Sequence, residues 1–596
     1  MGLEAWLTLA VIAAMVLALV RGLVGPAPAV LTACVVLYLL GVTTTEQAFS
    51  GFSNPAPLTV AALYVLARAV RVTGALEPIT NRLLAGRPGS GRPASERRPL
   101  ARLLPPVALA SGVFNNTPVV AMVAPQLTAQ APQRGLRASR MLMPLSYAAI
   151  LGGLLTTVGT STTLVVSGML QDAGAEPLGL LEITGVGLPV AVVGLAVVVL
   201  LVPRLVPDRS GADELADHDR VRRYSIGMLV EPGGALDGRT AAEGGLRDLQ
   251  GVYLAQIDRG ERIVAPVAPD ERLQGGDVLS FVGKVDQVVD LQRMRGLTTT
   301  EEHHLGGLDG FRGTFFEAVV GPGSSLHGRT LKDAQFRQRF GGVVVAINRA
   351  GERVDAKLGQ VPLQSGDTLL VLADPGFADR WRDSADFLLV ARQGGSAPAM
   401  TRKAPLVGLV AAGMLLLAGT GVLSILQAAL AAAGALIVLR IVSPSQAIAS
   451  VDLHVVLTIA AALGVGKAVT ASGLADVAGG LVVDAAAPLG ALGALALVML
   501  ATIVITELVT NNGAAVLLLP VALAAAETAG ADPRPFAIAV ALCASASFLS
   551  PLGYQTNLMV YGLGGYRFTD FVRAGAPLTL TVLAVGLIVI PTVWPL

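Results

Sequence analysis

Cysteine and histidine are scarce in this chain, two and five in 596 residues. Cys34 and Cys543 both lie inside apolar runs, which excludes a disulfide scaffold and a thiolate zinc site. Charge is scarce too: 14% of residues, against about 25% in a soluble domain. With 53% hydrophobic residues and a mean hydropathy of +0.66, the composition excludes an ordinary cytosolic enzyme. The net charge is +1, and no basic stripe or aromatic-basic platform is present, so a nucleic-acid polymer is not a partner. No GxGxxG follows a strand and no Walker lysine occurs, so neither a dinucleotide nor an ATP fold is supported. The sequence implies no enzyme and no organic cofactor.

Long apolar runs are what the chain has in abundance. Of its 43 basic and 42 acidic residues, 26 and 28 fall between Arg204 and Lys403; the rest is membrane-grade. A bilayer core about 30 Å thick needs about 20 apolar residues per helix. Spans are therefore expected at 5–23, 27–43 and 56–72, with the first run, Ala5 to Val20, read as a retained helix because a basic n-region and a clean cleavage site are missing. Arg87, Arg92, Arg97 and Arg98 follow, and Arg134, Arg137 and Arg140 come later; both segments should face the cytoplasm. The apolar stretch between them, 104–131, is interrupted by Asn115, Asn116, Thr117 and Pro118. A segment that starts and ends on one side with a polar break at its middle is a re-entrant hairpin. A span at 141–170, broken by the polar run Thr156 to Thr163, and a span at 179–203 complete this half.

From Ala404 the plan recurs: spans at 404–420, 422–442 and 453–472, an interrupted stretch at 487–526, a broken span at 535–562 and a last span at 576–595. Asp476, Asp484 and Asp532 flank this second hairpin, which should enter from outside. The repetition extends to residues. Leu58-Thr59 stands against Leu457-Thr458, and Arg68 against Lys467, at an offset of 399; Asn116 stands against Asn511 at 395; Gly159, Thr162 and Gly168 stand against Gly553, Thr556 and Gly562 at 394. Duplication with inverted topology is a signature of secondary transporters, with substrate near the midplane between broken helices.

Unwound backbone survives in hydrocarbon only where protein, water or a ligand satisfies it. Ser111 and Asn115-Asn116-Thr117 pair with the Gly159 to Thr163 turn; Thr506 and Thr510-Asn511-Asn512 pair with Gly553 to Asn557. Their carbonyl, hydroxyl and amide oxygens suit an alkali cation, while their donors and the helix N-termini suit an anion between the pairs. Neither hairpin tip carries Lys or Arg, so co-bound cations are the natural counterweight to a buried dianion. A lone intramembrane Asn or Thr more often caps or joins helices; two copies, each with a partner break, favour a site. Glu507 is either a proton carrier or an acceptor for the hairpin backbone, and the second reading is preferred because the first half has Gly112 or Val113 at that depth. Thr157-Val158-Gly159-Thr160 invites a potassium-filter reading, but it lies in a crossing span rather than a re-entrant loop.

The charged middle region is itself duplicated at an offset of 90: Pro232-Gly233 with Pro322-Gly323, Gly238-Arg239-Thr240 with Gly328-Arg329-Thr330, and Gly276-Asp277 with Gly366-Asp367. Short strands at Val252 to Ile257, Val278 to Val282, Val343 to Ile347 and Thr368 to Leu372 make each copy a small α+β domain. His303-His304 reads as loop rather than metal site. The Pro/Gly/Ser-rich segment Arg82 to Arg102 reads as a cytoplasmic connection rather than a phosphate loop.

Val113-Phe114-Asn115-Asn116-Thr117-Pro118, Gly159-Thr160-Ser161-Thr162, Thr506-Glu507-Leu508-Val509-Thr510-Asn511-Asn512 and Pro551-Leu552-Gly553-Tyr554-Gln555-Thr556-Asn557 together resemble the divalent anion/sodium symporter family, the citrate-transporter-like permeases. The subgroup most resembled carries two TrkA C-terminal (RCK-C) domains between its halves, as algal and plant sulfate transporters do. The resemblance implies an α-helical polytopic membrane protein of the plasma membrane: two inverted repeats of elevator type at 1–203 and 401–596, cytoplasmic RCK-C-like domains at 204–300 and 301–400, and a homodimer. It implies sodium ligands at Ser111, Asn115, Asn116, Gly159, Thr506, Thr510, Asn511 and Gly553. Asn116, Thr117, Thr160, Thr510, Asn511, Asn512 and Tyr554 would meet a small inorganic or organic dianion. Both triads depart from the family's Ser-Asn-Thr, and the breaks lack the double proline of dicarboxylate carriers. Tyr554-Gln555 favours a compact tetrahedral oxyanion, with sulfate and di- or tricarboxylate both open. The expectation is sodium-coupled symport, with a small regulatory ligand for the RCK-C pair. The alternatives are a potassium or cation transport component gated by those domains, or an anion sensor.

Overall fold

The computed structural model describes residues 2–21, 23–74, 96–131, 136–206, 225–246, 252–259, 262–264, 267–268, 270–283, 296–299, 314–321, 323–349, 352–354, 358–374, 376–381, 384, 386–392, 403–551 and 553–596. Arg87, Arg92, Arg134 and the His303-His304 pair lie outside these. The chain divides into two compact units, Met1–Arg209 together with Ala397–Leu596, and Ser210–Ser396.

The first unit is helical. Its N-terminal half runs α1 (Leu3–Val20), α2 (Pro26–Leu39), α3 (Thr45–Phe49), α4 (Pro55–Thr73), α5 (Arg97–Phe114), α6 (Asn116–Gln130), α7 (Ser139–Gly153), α8 (Ser161–Asp172) and α9 (Thr184–Leu200). Its C-terminal half runs α10 (Ala404–Gly419), α11 (Ile425–Val438), α12 (Pro444–Ser450), α13 (Leu453–Ala471), α14 (Leu474–Ala486), α15 (Gly490–Leu508), α16 (Asn511–Thr528), α17 (Pro533–Ser545), α18 (Gln555–Leu563) and α19 (Phe568–Val593). Among the described residues the order is the same twice apart from α14, whose residues fall between the expected span at 453–472 and the expected stretch at 487–526. Pro488 and the positive φ of Gly490 separate α14 from α15. The first hairpin starts at Arg97 rather than 104, because apolar side chains at Leu100, Leu103 and Leu104 are already buried there. Even a local device recurs: Thr44 and Gln47 form a capping box on α3, as Ser443 and Gln446 do on α12, each satisfying two orphan backbone donors.

Packing is reciprocal. α2 lies on α13 and α11 on α4; α6 meets α18 and α16 meets α8; α9 and α19 pack on one another. The first parts of the broken helices form the interior, with Met141–Gly153 and Pro535–Ser545 wholly buried. Large apolar side chains such as Trp6, Val192, Leu416, Leu580 and Ile588 are exposed instead, the pattern of a surface facing hydrocarbon. Among the described residues, five helical segments are long and apolar enough to cross a bilayer: Thr45–Thr73, Thr184–Leu205, Leu453–Ala471, Leu474–Leu508 and Phe568–Val593.

The second unit holds two five-stranded antiparallel sheets. Strands β1 (Ser225–Val230), β2 (Val252–Arg259), β3 (Arg262–Val264), β4 (Val278–Gly283) and β5 (Leu297–Thr299) lie in the order β3-β2-β4-β1-β5. Strands β6 (Thr314–Val320), β7 (Gly342–Arg349), β8 (Glu352–Arg353), β9 (Thr368–Ala373) and β10 (Phe387–Arg392) lie in the order β10-β6-β9-β7-β8. Read from its other end, this is the first sheet with every strand replaced by its counterpart. Each core buries the matching leucines and isoleucine, Leu236, Ile257, Leu273 and Leu279 against Leu326, Ile347, Leu363 and Leu369. The arginine ending β2 or β7 binds the aspartate before β4 or β9, Arg259 Nε to Asp277 and Arg349 Nε to Asp367, both at 2.8 Å.

Candidate functional site

The two hairpins in the helical unit turn at Asn115 and at Val509-Thr510. Asn115 has φ 65° and ψ 154°, a region costing a non-glycine residue about 1–3 kcal/mol; its side-chain oxygen accepts the Asn116 N–H at 2.7 Å. Thr510 is extended and caps α16 by accepting the Gly513 N–H at 3.2 Å. Both are thus terminal caps. Behind each turn a hydroxyl donates to the buried asparagine: Ser111 Oγ to Asn116 Oδ1 at 2.6 Å, and Thr506 Oγ1 to Asn511 Oδ1 at 3.1 Å. Each hairpin thereby brings a hydroxyl and an amide oxygen to one point.

The helix breaks are built alike. Thr156 Oγ1 and its counterpart Ser550 Oγ accept the N–H of Gly159 at 3.1 Å and of Gly553 at 2.9 Å. Thr163 ties down the carbonyls of Thr157 (2.7 Å) and Thr160 (2.8 Å), while Asn557 binds those of Ser547 and Ser550, each at 3.1 Å. Glycine permits a backbone of the last helix in each half to touch the break. A Cβ on Gly187 would stand 1.9 Å from the Leu154 carbonyl oxygen, and one on Gly575 2.1 Å from that of Phe548. The loop after α8 also serves the first break: Thr157 donates its hydroxyl to Gly179 O at 2.6 Å and its N–H to Leu180 O at 3.0 Å. That loop is pinned by Arg534, whose guanidinium binds both Glu182 oxygens at 2.7 Å.

One difference between the halves involves Glu507, the counterpart of Gly112. α17 stops at Ser545, two residues short of the position equivalent to the end of α7, and the freed N–H groups of Phe548 and Leu549 both donate to Glu507 at 2.8 Å, with Ser547 Oγ at 3.1 Å. The carboxylate therefore serves the backbone of the second break, whereas the sequence reading assigned it to its own hairpin.

The halves meet at four helix N-termini. Thr117 at the start of α6 donates to Gln555 at the start of α18 (3.2 Å), and Ser161 at the start of α8 donates to Asn512 at the start of α16 (3.1 Å). These two bonds are each other's counterparts. Between them the Tyr554 hydroxyl takes hydrogen bonds with the Asn116 amide and with Thr160 Oγ1 at 3.1 Å, and Asn511 stands near by. The two asparagines thus approach one hydroxyl. Thr160 caps α8 through the Thr162 N–H, and Gly159 and Gly553 sit where the chain unwinds. The positive ends of four helices face a region of neutral amides and hydroxyls, which favours negative charge, and the paired oxygens behind it suit a hard cation. Ser161, Thr156, Ser550, Gly187 and Gly575 were not singled out as site residues. The 394 offset that links Gly159 to Gly553 reaches the first three; the two glycines, at 388, lie out of register.

A family model described as citrate transporter matches residues 11–512 and 490–594. A protein of Chlamydomonas reinhardtii named for a role in the sulfur deprivation response is 33% identical over 576 residues, spanning 94% of this chain and 97% of its own. An uncharacterized transporter of Synechocystis sp. is 32% identical over 585 residues, spanning 96% and 94%. Sodium/sulfate cotransporter 1 of C. reinhardtii is 24% identical over 751 residues, spanning 91% and 84%. The matched region and the multi-helical fold together make this chain a member of the citrate transporter family, a multi-pass membrane transporter and not an enzyme.

Proposed function

We propose that the protein is a sodium-coupled symporter of a small divalent anion, sulfate or a di- or tricarboxylate, in the plasma membrane. One observation carries this reading: helix N-termini from both halves meet around Asn116, Asn511 and Tyr554, and among the described residues that hydrogen-bond there none is basic. Helix dipoles and neutral donors alone would leave a dianion undercompensated. Cations at the oxygens of Ser111, Asn116 and Gly159, and of Thr506, Asn511 and Gly553, with Asn115 and Thr510 contributing, would supply the balance. Thr117, Thr160 and Asn512 would face the anion. The sodium/sulfate cotransporter relative favours the same pairing of ion and substrate.

On this reading the halves are inverted repeats, and the hairpins move as an elevator within a homodimer. Residues 204–400 are a cytoplasmic pair of RCK-C domains that regulate transport on binding a nucleotide or ion. The test is counterflow of labelled sulfate and succinate into proteoliposomes, with and without a sodium gradient. Sodium-stimulated accumulation of either anion is expected. Potassium uptake with no anion flux would assign a cation carrier instead, and anion binding without flux would assign a sensor.

A further inference from the structure

Residues 160 and 554 are counterparts with the same backbone, φ −140°, ψ 147° and φ −134°, ψ 137°, each immediately before the second part of a broken helix. Their side chains differ sharply. Thr160 turns inward to cap its own helix, whereas Tyr554 makes no cap hydrogen bond and leaves the N-terminus of α18 to other partners. Its hydroxyl instead reaches the Asn116 amide of one hairpin tip and Thr160, with Asn511 of the other tip near by.

We propose that Tyr554 is the size-selecting residue of the substrate site, admitting a compact tetrahedral oxyanion of the sulfate type and excluding di- and tricarboxylates. The inference rests on the proposed anion-transport function. A tetrahedral dianion gathers its charge around one atom and can be held beside the ring by the phenolic O–H, the asparagine amides and the uncapped α18 N-terminus. A dicarboxylate needs two anchors separated by a carbon chain, and the Asn116 amide that would supply one of them is already engaged by the Tyr554 hydroxyl. Size discrimination by a packed wall is worth about 10- to 200-fold per group excluded.

The internal repeat supplies the test variant. Tyr554→Thr places at 554 the side chain that position 160 already carries on the same backbone, so the variant is compatible with the fold; Tyr554→Phe keeps the ring and removes the hydroxyl. Sodium-driven uptake of sulfate, succinate and citrate would be measured in proteoliposomes for wild type and both variants, with elution profile and thermal midpoint as folding checks. Wild type should carry sulfate without inhibition by excess succinate or citrate. Tyr554→Thr should raise the succinate-to-sulfate ratio of kcat/KM by about tenfold or more. Tyr554→Phe should still exclude succinate while its KM for sulfate rises. An unchanged ratio in Tyr554→Thr, or entry of succinate into Tyr554→Phe as readily as into Tyr554→Thr, would overturn the inference. Competition by succinate in wild type would overturn it even if Tyr554→Thr failed to fold. No sodium-dependent flux of any dianion in wild type would remove the underlying transport assignment instead.

Discussion

At the scale of single residues, the fully buried Asn116 carries the heaviest demand. Its oxygen takes the Ser111 hydroxyl and its nitrogen serves Tyr554, while Asn511 holds the same relation to Thr506. Asn116→Ala and Asn511→Ala should each reduce sodium-driven uptake to background with an unchanged elution profile; normal uptake in both would remove the site. Glu507 separates two roles. As the acceptor of two backbone N–H groups and a serine hydroxyl, it can be replaced by glutamine, whose oxygen still accepts both N–H bonds. Glu507→Gln should retain measurable uptake. Glu507→Ala orphans buried donors at about 1–3 kcal/mol each and should abolish uptake with a lower thermal midpoint. Equal loss in both variants would assign a proton to the carboxylate. In the second unit, burial pushes the Asp386 carboxyl up, but the Ser325 hydroxyl and N–H, then Arg339 and Ser324, hold it below the ordinary 3.8. A depressed folded-state pKa contributes stability that is complete above 3.8 and is lost as pH falls through the lower folded value. Asp386→Asn should weaken this domain at neutral pH and flatten its acid dependence, read from Trp381 fluorescence in a Trp6→Phe, Trp594→Phe background.

At the scale of elements, the helix breaks hold their shape through contacts remote in sequence. Gly187 and Gly575 bring α9 and α19 against the carbonyls of Leu154 and Phe548. Alanine at either glycine forces a backbone shift of the kind that costs about 1–3 kcal/mol. Gly187→Ala and Gly575→Ala should therefore lower the thermal midpoint and slow transport with unaltered substrate preference, whereas Gly480→Ala, where an added Cβ meets open space, should change neither. Wild-type stability in the first two would show that this approach does not support the breaks. The hairpins, the breaks and the repeated strands were legible in the sequence because polar residues inside apolar runs and near-constant offsets have no other economical explanation. The close approaches were not. A glycine in an apolar helix has no distinctive neighbour in sequence, and a shorter connection shifts Gly575 out of the 394 register. α14 escaped for a related reason: Asp476 and Asp484 interrupt its apolar residues, so it reads as the flank of the second hairpin and not as a helix of its own. The donors to Glu507 were hidden because α17 ends early, a property of backbone geometry and not of hydropathy.

At the scale of the whole molecule, the chain carries two self-sufficient hydrophobic interiors of different kinds. The helical unit is completed by residues before Arg209 and after Ala397, and every side chain of the candidate site belongs to it. The middle unit closes two sheets of its own, each with a buried leucine-rich core and an arginine–aspartate bond at the same place. On the proposed reading the duplicated middle unit regulates transport and takes no part in choosing the anion. Replacing Val221 to Leu388 with a short flexible linker should accordingly leave the order of preference among sulfate, succinate and citrate as in wild type and change only the maximal rate or its response to cytosolic solutes. Counterflow with each anion, run side by side on the two proteins at saturating sodium, measures this directly. An altered order of preference in the shortened protein would mean that the middle unit shapes the substrate site, and the regulatory assignment would be withdrawn.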